Sequence, residues 1–359
     1  MRQMSSDIRL KSDWIDAIND ADTRTSWAAE AKAKELTDIE FAYVLDELVY
    51  YVSLHPPGSN IRFSAADGVW FSDTLIDTET TNELKNYATI LESIWDRQKD
   101  WYPNDQSCVL NLIDPSLFSL IYSRSKLCHQ SDTSSQAALK LEKAGEFPGS
   151  IDGWHKALNI KEDGESDYYL PTDGQSCRYS SSEFSWLPSE FRVDDNGAVT
   201  IESYVNNVHP VRHAALYPII TCVFSKFLPL LEQVVTDLVH PRHPRVILDQ
   251  DKSYKSDEPL PNHDGGNYYE EFILWKSRAT FVHPQLEPFV APARPVNPYS
   301  LHGRRLQAIV KMSNIELTSE RSIYDGEDWS VAGLANERII ATGIFFYDVA
   351  NIALSSLRF

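Results

Sequence analysis

Two histidines, His209 and His213, lie four residues apart in the sequence HPVRH, just before a long apolar stretch. Two imidazoles at this spacing can share a metal ion on one face of a helix. No carboxylate or cysteine is close to them in the sequence, and Pro210 indicates a tight turn. The sequence therefore favours structural or surface histidines over a metal site.

A second candidate is the sequence HDGGNYYEE at residues 263–271, where a glycine pair precedes two tyrosines and two acids. This composition suits a substrate loop or lid, and equally a plain loop leading into a strand. The chain has no GxSxG elbow, no P-loop and no dinucleotide fingerprint, and Ser330 has no recognisable histidine and acid partners. The short motifs therefore assign no reaction.

The third candidate is EDWSVAGLANERIIATGIFFYD at residues 327–348, which combines a tryptophan, a turn and an apolar strand in the manner of a metal-binding segment. From residue types alone it is a turn followed by a strand. Its significance depends on the elements that surround it.

Composition narrows the class of protein. The formal charge of −19 repels phosphate backbones and anionic membrane surfaces, so neither nucleic acid nor a membrane is expected as a partner. No apolar run approaches the length of a bilayer span, and the first residues lack the apolar core of a signal peptide. Four widely spaced cysteines indicate free thiols. The expected location is the cytoplasm. The cysteines are Cys108, Cys128, Cys177 and Cys222.

Periodicity predicts helices first and strands later, which is an α+β arrangement. Helices are predicted over residues 12–51, 80–101 and 215–240, with a short helix opened by Pro115 and with Pro218 and Pro229 expected to kink or segment the last of the three. A hairpin is predicted over residues 191–207 around the turn sequence DDNG, and single strands over 301–318 and 337–348.

From about residue 85 onward the chain resembles a fungal family known as domain of unknown function 4246. The resemblance is carried by long, ordered blocks. These are QKDWYPNDQSCVLNLIDPSLFSLIYSRSKL, WLPSEFRVDDNGAVTIESYVNNVHPVRHAALYPIITCVFSKFLPLLEQVVTDL, GRRLQAIVKMSNIELTSE and WSVAGLANERIIATGIFFYDVANI.

The resemblance implies a fold and an altered site. The C-terminal part of the family resembles the double-stranded β-helix of iron and 2-oxoglutarate oxygenases. There the segment matching residues 329–333 reads Trp-His-Val-Glu-Gly, and its histidine and glutamate look like two arms of a 2-His-1-carboxylate triad. In this chain Ser330 and Ala332 stand at those positions, and the chain ends at Phe359 before a second histidine and a 2-oxoglutarate anchor would follow. The resemblance therefore implies no metal and no cofactor.

With the resemblance, the expected fold is a helix-rich N-terminal part followed by an incomplete, jelly-roll-like double-stranded β-helix. The expected division is a helical segment at residues 1–60, a helix-rich region with one hairpin at 61–240, and a β-rich half barrel at 241–359. A half barrel has open strand edges, so a homo-oligomer or a hetero-oligomer is expected.

Two classes of function follow. The first is a metal-free pseudoenzyme, descended from an oxygenase-like fold, that binds a small molecule or acts as a cofactor-free cyclase or isomerase in fungal specialised metabolism. The alternative is a non-catalytic partner subunit of an intact oxygenase-like relative. Whether the chain is an enzyme stays open, and oxygenase activity on its own is not expected. No catalytic residue is assigned. The expected pocket is lined by Arg305, Trp329, Ser330, Ala332 and Tyr347.

Overall fold

The structure is a computed structural model that describes two compact units. Unit 1 comprises Met1–Asp73, Thr236–Tyr299 and Phe359, and unit 2 comprises Thr74–Val235 and Ser300–Arg358. The described part contains seven α-helices and fourteen short strands. It covers residues 1–11, 13–55, 59–64, 66, 68–93, 98–102, 108–122, 124–129, 140–143, 181, 183–241, 254–256, 258–262, 267–282, 286–293, 298–326, 333–353, 355 and 357.

Unit 1 begins with four helices, of which the last three correspond to the helical pattern predicted over residues 12–51, while the first lies before it. Asp20 accepts a hydrogen bond from the Thr23 N–H at 2.8 Å and starts the third helix, and Thr37 and Glu40 form a capping box at the fourth. The fourth helix ends at Leu54, three residues beyond the predicted end of the helical stretch. The elements are α1 Arg2–Arg9, α2 Trp14–Ala17, α3 Ala21–Ala33, α4 Asp38–Leu54, β1 Arg62–Phe63, β2 Trp70–Phe71, β11 Tyr254–Lys255, α7 Tyr268–Arg278 and β12 Thr280–Phe281.

Unit 2 combines two helices with small antiparallel sheets. Asp77 starts α5, and hydrogen bonds from Thr80 are the main cause that holds the pKa of Asp77 below its usual value. The elements are α5 Thr78–Glu92, β3 Asp100–Trp101, β4 Val109–Ile113, β5 Leu120–Ile121, β6 Lys126–His129, β7 Lys140–Lys143, β8 Phe184–Ser185, β9 Ser189–Val193, β10 Val199–Ile201, α6 Leu216–Val239, β13 Arg305–Ala308, β14 Met312–Ile315 and a 3-10 turn Ala335–Glu337. The last four residues of α6, from Thr236, belong to unit 1.

The predicted hairpin is confirmed as β9 and β10. Asp194 Oδ1 accepts hydrogen bonds from the N–H groups of Asn196 and Ala198, both at 2.8 Å, and Gly197 adopts a φ of +86°. The pair is completed on its other side by β13, so the strand order is β10-β9-β13. Phe191 is fully buried at the centre of this sheet.

A second three-stranded sheet has the order β14-β4-β3. The single strand predicted over residues 301–318 is therefore two strands, because the chain leaves β9 after Ala308 and pairs with β4 from Met312. The short helix predicted at Pro115 is wrong. Pro115 opens a turn between β4 and β5, in which the Ser116 N–H binds the Asp114 side chain at 2.9 Å.

The long apolar helix α6 runs without a break from Leu216 to Val239, so its prolines do not segment it. By length and composition it would suffice for a membrane span, so the prediction that no apolar run approaches that length is wrong. One such helix is weak evidence, because core helices of soluble proteins share these features. Phe224 packs on Phe191 with ring centroids 4.6 Å apart, and Glu232 accepts the Leu301 N–H at 2.8 Å. We therefore interpret α6 as packed against protein.

The strand predicted over residues 337–348 is wrong. Glu337 closes the 3-10 turn, and no ladder forms over residues 338–348 within the described part. The sequence has the alternation of a strand, but a strand also needs a neighbour to pair with. The α+β class is confirmed, while the double-stranded β-helix and the three-part division stay predictions.

Candidate functional site

Only two of the five residues expected to line the pocket, Arg305 and Tyr347, belong to the described part of the structure. Trp329, Ser330 and Ala332 lie outside the described residues. Arg305 is on β13, with its side chain 67% exposed and an ion pair to Glu202 at 2.9 Å. Tyr347 lies in the C-terminal segment and binds different partners. No described contact joins Arg305 to Tyr347, and the pocket stays a prediction.

Tyr347 belongs to a polar cluster in unit 2. Its hydroxyl donates to Asn314 Oδ1 on β14, and Asn314 Nδ2 donates to Glu92 Oε1 at the end of α5. Burial, together with the negative charges of Glu92, Asp348 and Glu316, raises the pKa of Tyr347 to about 12, although the Asn314 hydrogen bond opposes the rise. The hydroxyl is therefore a neutral anchor at physiological pH rather than a base.

Tyr347 also anchors a longer feature, which we call the C-terminal segment and define as residues 338–351. Two residues with left-handed backbone bracket it, Arg338 with a φ of +51° and Asn351 with a φ of +58°. Within residues 340–348, Ala341, Phe345 and Tyr347 are half-buried and the other six are exposed, so burial alternates as in an extended chain on either side of an exposed Gly343. The segment therefore has an inward face and an outward face.

The inward face packs against the body of unit 2. A Cβ atom added at Gly343 would lie 3.0 Å from the Phe227 ring on α6, so glycine permits this close approach. Ala341, Phe345 and Tyr347 are half-buried. These contacts hold the segment by its side chains.

The outward face is apolar and exposed. Ile340 is 62% exposed, Ile344 49% and Phe346 60%. Asp348 follows on the same face and forms an ion pair with Lys85 at 2.8 Å. Isolated exposed apolar residues are ordinary, but a row of them on one extended segment indicates a contact surface.

Between residues 339 and 347 the backbone of the segment is unpaired within the described structure. Over residues 339–347, no backbone N–H or C=O forms a hydrogen bond with any other residue that the structure describes. An extended chain with open backbone edges is a template for pairing with another strand. The alternation of apolar residues is evident from the sequence. The lack of a paired neighbouring strand within the described structure is not.

A second feature of unit 2 is a shallow groove of about 580 Å³ between β10 and the first three turns of α6. None of the described residues that line it is charged. The hydroxyls of Thr221 and Ser225 donate to carbonyls of their own helix, and their lone pairs remain as acceptors. The lining residues are Gly197, Ala198, Val199, Thr200, Ile201, Tyr217, Pro218, Thr221, Cys222 and Ser225.

The two histidines serve the structure. His209 Nδ1 accepts the N–H groups of Val211 and Arg212 at 3.2 Å, and His213 Nδ1 lies 3.1 Å from the Tyr87 hydroxyl. Among the described residues, no three histidine, cysteine or acidic side chains come together as metal ligands. Cys108 and Cys222 are free thiols, while Cys177 and the side chain of Cys128 lie outside the described part.

The candidate loop at residues 263–271 is described only from Asn267, and Tyr268 begins the helix α7 rather than a strand. The arginines of β13 also differ from expectation. Apolar residues on both faces of this strand predicted that one of Arg304 and Arg305 would be partly buried, yet both are exposed. Arg304 Nε donates to the Ser300 carbonyl at 2.9 Å, and Arg305 forms the ion pair with Glu202.

The model of the family Protein of unknown function (DUF4246) matches residues 38–359. The chain belongs to this family. The DUF4246 match begins before residue 85, where the resemblance in the sequence begins. It includes both the groove and the C-terminal segment. Compared with the curated proteins and with the solved structures, this DUF4246 chain gives no match.

The raised pKa of Tyr347 predicts an alkaline effect in this DUF4246 chain. The folded pKa of about 12 exceeds the ordinary value of 10, so the neutral hydroxyl stabilises the fold fully below pH 10 and that contribution is lost as the pH rises towards 12. We expect the difference in free energy of unfolding between the natural chain and Tyr347→Phe to shrink across this window. Denaturant titrations at pH 8 to 12 measure it.

The matched control is Tyr269→Phe, since Tyr269 is 76% exposed. This control is expected to leave the free energy of unfolding nearly unchanged. If Tyr347→Phe changed the free energy of unfolding by the same amount at every pH, the hydroxyl would not be buried beside the carboxylates of Glu92, Asp348 and Glu316.

Proposed function

We propose that the protein is a non-catalytic subunit that assembles with another polypeptide chain through the outward face and open backbone edge of the C-terminal segment. The observation that carries the proposal is the absence of backbone hydrogen bonds over residues 339–347, within the described structure, while side chains anchor the same residues. An anchored, extended chain has already lost most of its conformational entropy, so pairing with a second strand costs it little.

The resemblance to oxygenases adds a reason for assembly without catalysis. In this proposal the segment is a strand of an oxygenase-like double-stranded β-helix, and the protein is a metal-free pseudoenzyme of fungal specialised metabolism in the cytoplasm. Ser330 and Ala332 offer a hydroxyl and a methyl group where the resemblance expects histidine and glutamate. Neither replaces an imidazole or a carboxylate as a ligand of iron(II).

The test is photo-crosslinking in living source cells. The photoreactive residue p-benzoylphenylalanine replaces Phe346, which is on the outward face, or Val211, which is 79% exposed elsewhere in unit 2. We expect a discrete adduct with a second polypeptide from position 346 and none from position 211. Equal labelling from both positions, or no adduct from position 346, would contradict the proposal.

The groove between β10 and α6 favours a second candidate function, the binding of a neutral, mostly apolar small molecule. Its volume of about 580 Å³ is within the range of small-molecule sites, and its uncharged lining excludes a strongly ionic ligand. A thermal-shift screen of neutral compounds tests this candidate. Compounds that stabilise the natural chain should fail to stabilise Ser225→Trp, which fills the groove, and should still stabilise Thr89→Trp on the exposed side of α5.

A further inference from the structure

Strand β10 lies at one edge of the sheet β10-β9-β13. Its bonds to β9 show which of its residues face that neighbour: the Ala198 carbonyl accepts the Asp194 N–H at 2.9 Å, and the Glu202 N–H donates to β9 at 2.8 Å. Because backbone groups alternate in direction along a strand, Val199 and Ile201 point their N–H and C=O groups away from β9. No residue that the structure describes pairs with these four groups.

The groove of unit 2 runs along this open edge. Residues 197–201, which comprise β10 and the end of its turn, all line the groove. Side chains alternate between the two faces of a sheet, so a cavity on one face touches every second residue. A groove that touches five residues in succession therefore approaches the strand from its edge. The opposite wall is α6, where the small side chains of Thr221, Cys222 and Ser225 leave space beside the strand.

An extended peptide is the occupant that matches this edge. The outward backbone groups of Val199 and Ile201 recur at the spacing of a β-strand, so an added strand can pair with all of them. A helix cannot, since its own backbone groups are paired internally, and a compact apolar molecule leaves them unpaired. Residues 197–201 extend over about 16 Å, which is the length of five residues of an added strand. Alternate side chains of that strand enter the space against α6.

Charge narrows the sequence of that peptide. The described lining of the groove is uncharged, so the side chains that enter it should be uncharged as well. Asp194 and Asp195 stand in the turn at one end of the groove, whereas Glu202, at the other end, is already paired with Arg305 at 2.9 Å. The formal charge of −19 attracts a basic peptide and repels an acidic one. A lysine or arginine should therefore lie at the end of the peptide beside the turn.

We propose that the groove is a second docking site, at which an extended peptide segment of a partner protein adds a fourth strand to the sheet β10-β9-β13. The segment has uncharged, mostly apolar side chains at alternate positions and a basic residue at one end. This inference goes beyond the proposed assembly function, because it uses a different edge of unit 2 from the C-terminal segment. It also differs from the binding of a neutral small molecule, which does not require the backbone of β10.

Selection from a phage library of random nine-residue peptides tests the docking site. The natural chain should enrich peptides with alternating apolar residues and a lysine or arginine at one end. Ser225→Trp, which fills the groove, should not enrich them. The matched control Thr89→Trp, on the exposed side of α5, should enrich the same peptides as the natural chain. If the natural chain enriched no peptides beyond those found with Ser225→Trp, the docking site would be overturned.

Backbone methylation of an enriched peptide tests strand pairing without altering the protein. Each peptide nitrogen is methylated in turn, and the affinity for the natural chain is measured by fluorescence anisotropy. Methyl groups at every second position should weaken binding by at least about tenfold, because each removes a hydrogen bond to β10 and clashes with the strand. Methyl groups at the intervening positions should have little effect. Equal effects at all positions would overturn the addition of a strand.

Two proline variants test the same pairing from the side of the protein. Ile201→Pro removes an N–H that points away from β9 and should weaken peptide binding by at least about tenfold. Gln307→Pro is the matched control, since its N–H also points away from β9 but at the opposite edge of the sheet. Circular dichroism checks that both variants are folded. Binding that Ile201→Pro reduces no more than Gln307→Pro does would contradict pairing with β10.

The outcomes separate this inference from the proposed functions. If neutral compounds stabilise the natural chain through the groove and no peptide binds there, the groove holds a small molecule and the peptide inference fails. Photo-crosslinking from position 346 reports on the C-terminal segment, so the assembly function stands or fails by that result whatever the peptides do.

Discussion

Replacing Phe191 by alanine is expected to lower the free energy of unfolding of the protein by about 4 kcal/mol. Phe191 is completely buried on the central strand β9, between Ile201 of β10 and Leu306 of β13. Its ring packs on Phe224 of α6 with centroids 4.6 Å apart. The substitution removes apolar surface from the core and leaves a cavity that the three strands and the helix cannot close without losing their register.

Denaturation in urea, followed by circular dichroism, measures this loss. The matched control is Phe184→Ala on β8, where the side chain is 47% exposed, and its effect should be smaller than about 0.5 kcal/mol. Similar effects of the two substitutions would show that Phe191 is not at the centre of the fold.

Arg9 of α1 is expected to be the most sensitive charged residue of unit 1. Only 3% of it is exposed, its Nη1 donates to the Ser64 carbonyl at 2.6 Å, and its guanidinium lies 4.0 Å from the centroid of the Tyr51 ring. A hydrogen bond from a charged donor and a desolvated cation–π contact each contribute about 2 kcal/mol. We expect Arg9→Ala to destabilise the protein by about 3 kcal/mol, allowing for partial relaxation of the site.

Two further variants separate charge from packing at this position. Arg9→Met keeps much of the side-chain volume without a buried charge, so its cost should be clearly smaller than that of Arg9→Ala. Arg2→Ala, at an exposed position of the same helix, should be nearly neutral. If Arg9→Ala were as mild as Arg2→Ala, Arg9 would not be part of the core.

Elements fixed by short-range signals were predictable from the sequence. The turn DDNG between alternating apolar residues predicted β9 and β10, and the apolar run after His213 predicted α6. These signals act within one turn or one helix, so no distant residue is needed to interpret them. At Pro115 the same reasoning failed, since Asp114 stabilises a local turn that competes with a helix start.

Pairing between distant strands was less predictable. Residues 301–318 were predicted as one strand because apolar residues recur along the stretch, but β13 and β14 join different sheets. Which neighbour a strand finds depends on contacts between distant residues, such as Leu306 with Phe191 and Asn314 with Leu110. For the same reason, the alternation of apolar residues over 337–348 could not show whether this stretch finds a neighbouring strand. Within the described structure it finds none.

The candidate site was predictable only in part. The place of Tyr347 beside a pocket stays a prediction, and the structure shows it as a half-buried anchor of the extended segment. The groove was not predicted, because β10 and α6 approach each other only in three dimensions and Cys222 and Ser225 have no motif around them. Positions 329, 330 and 332 lie outside the described residues, so the predicted loss of the metal ligands stays a prediction.

Amide hydrogen exchange over residues 339–347 tests assembly through the C-terminal segment most directly. In the dilute, isolated chain these amides should exchange almost as fast as in an unstructured peptide, because none of them donates a hydrogen bond within the described structure. When a second chain pairs with the segment, the amides that face the new strand should become protected, while the amides of β9 stay unchanged. Protection that is already complete in the dilute monomer, and that no second chain alters, would contradict assembly through this segment.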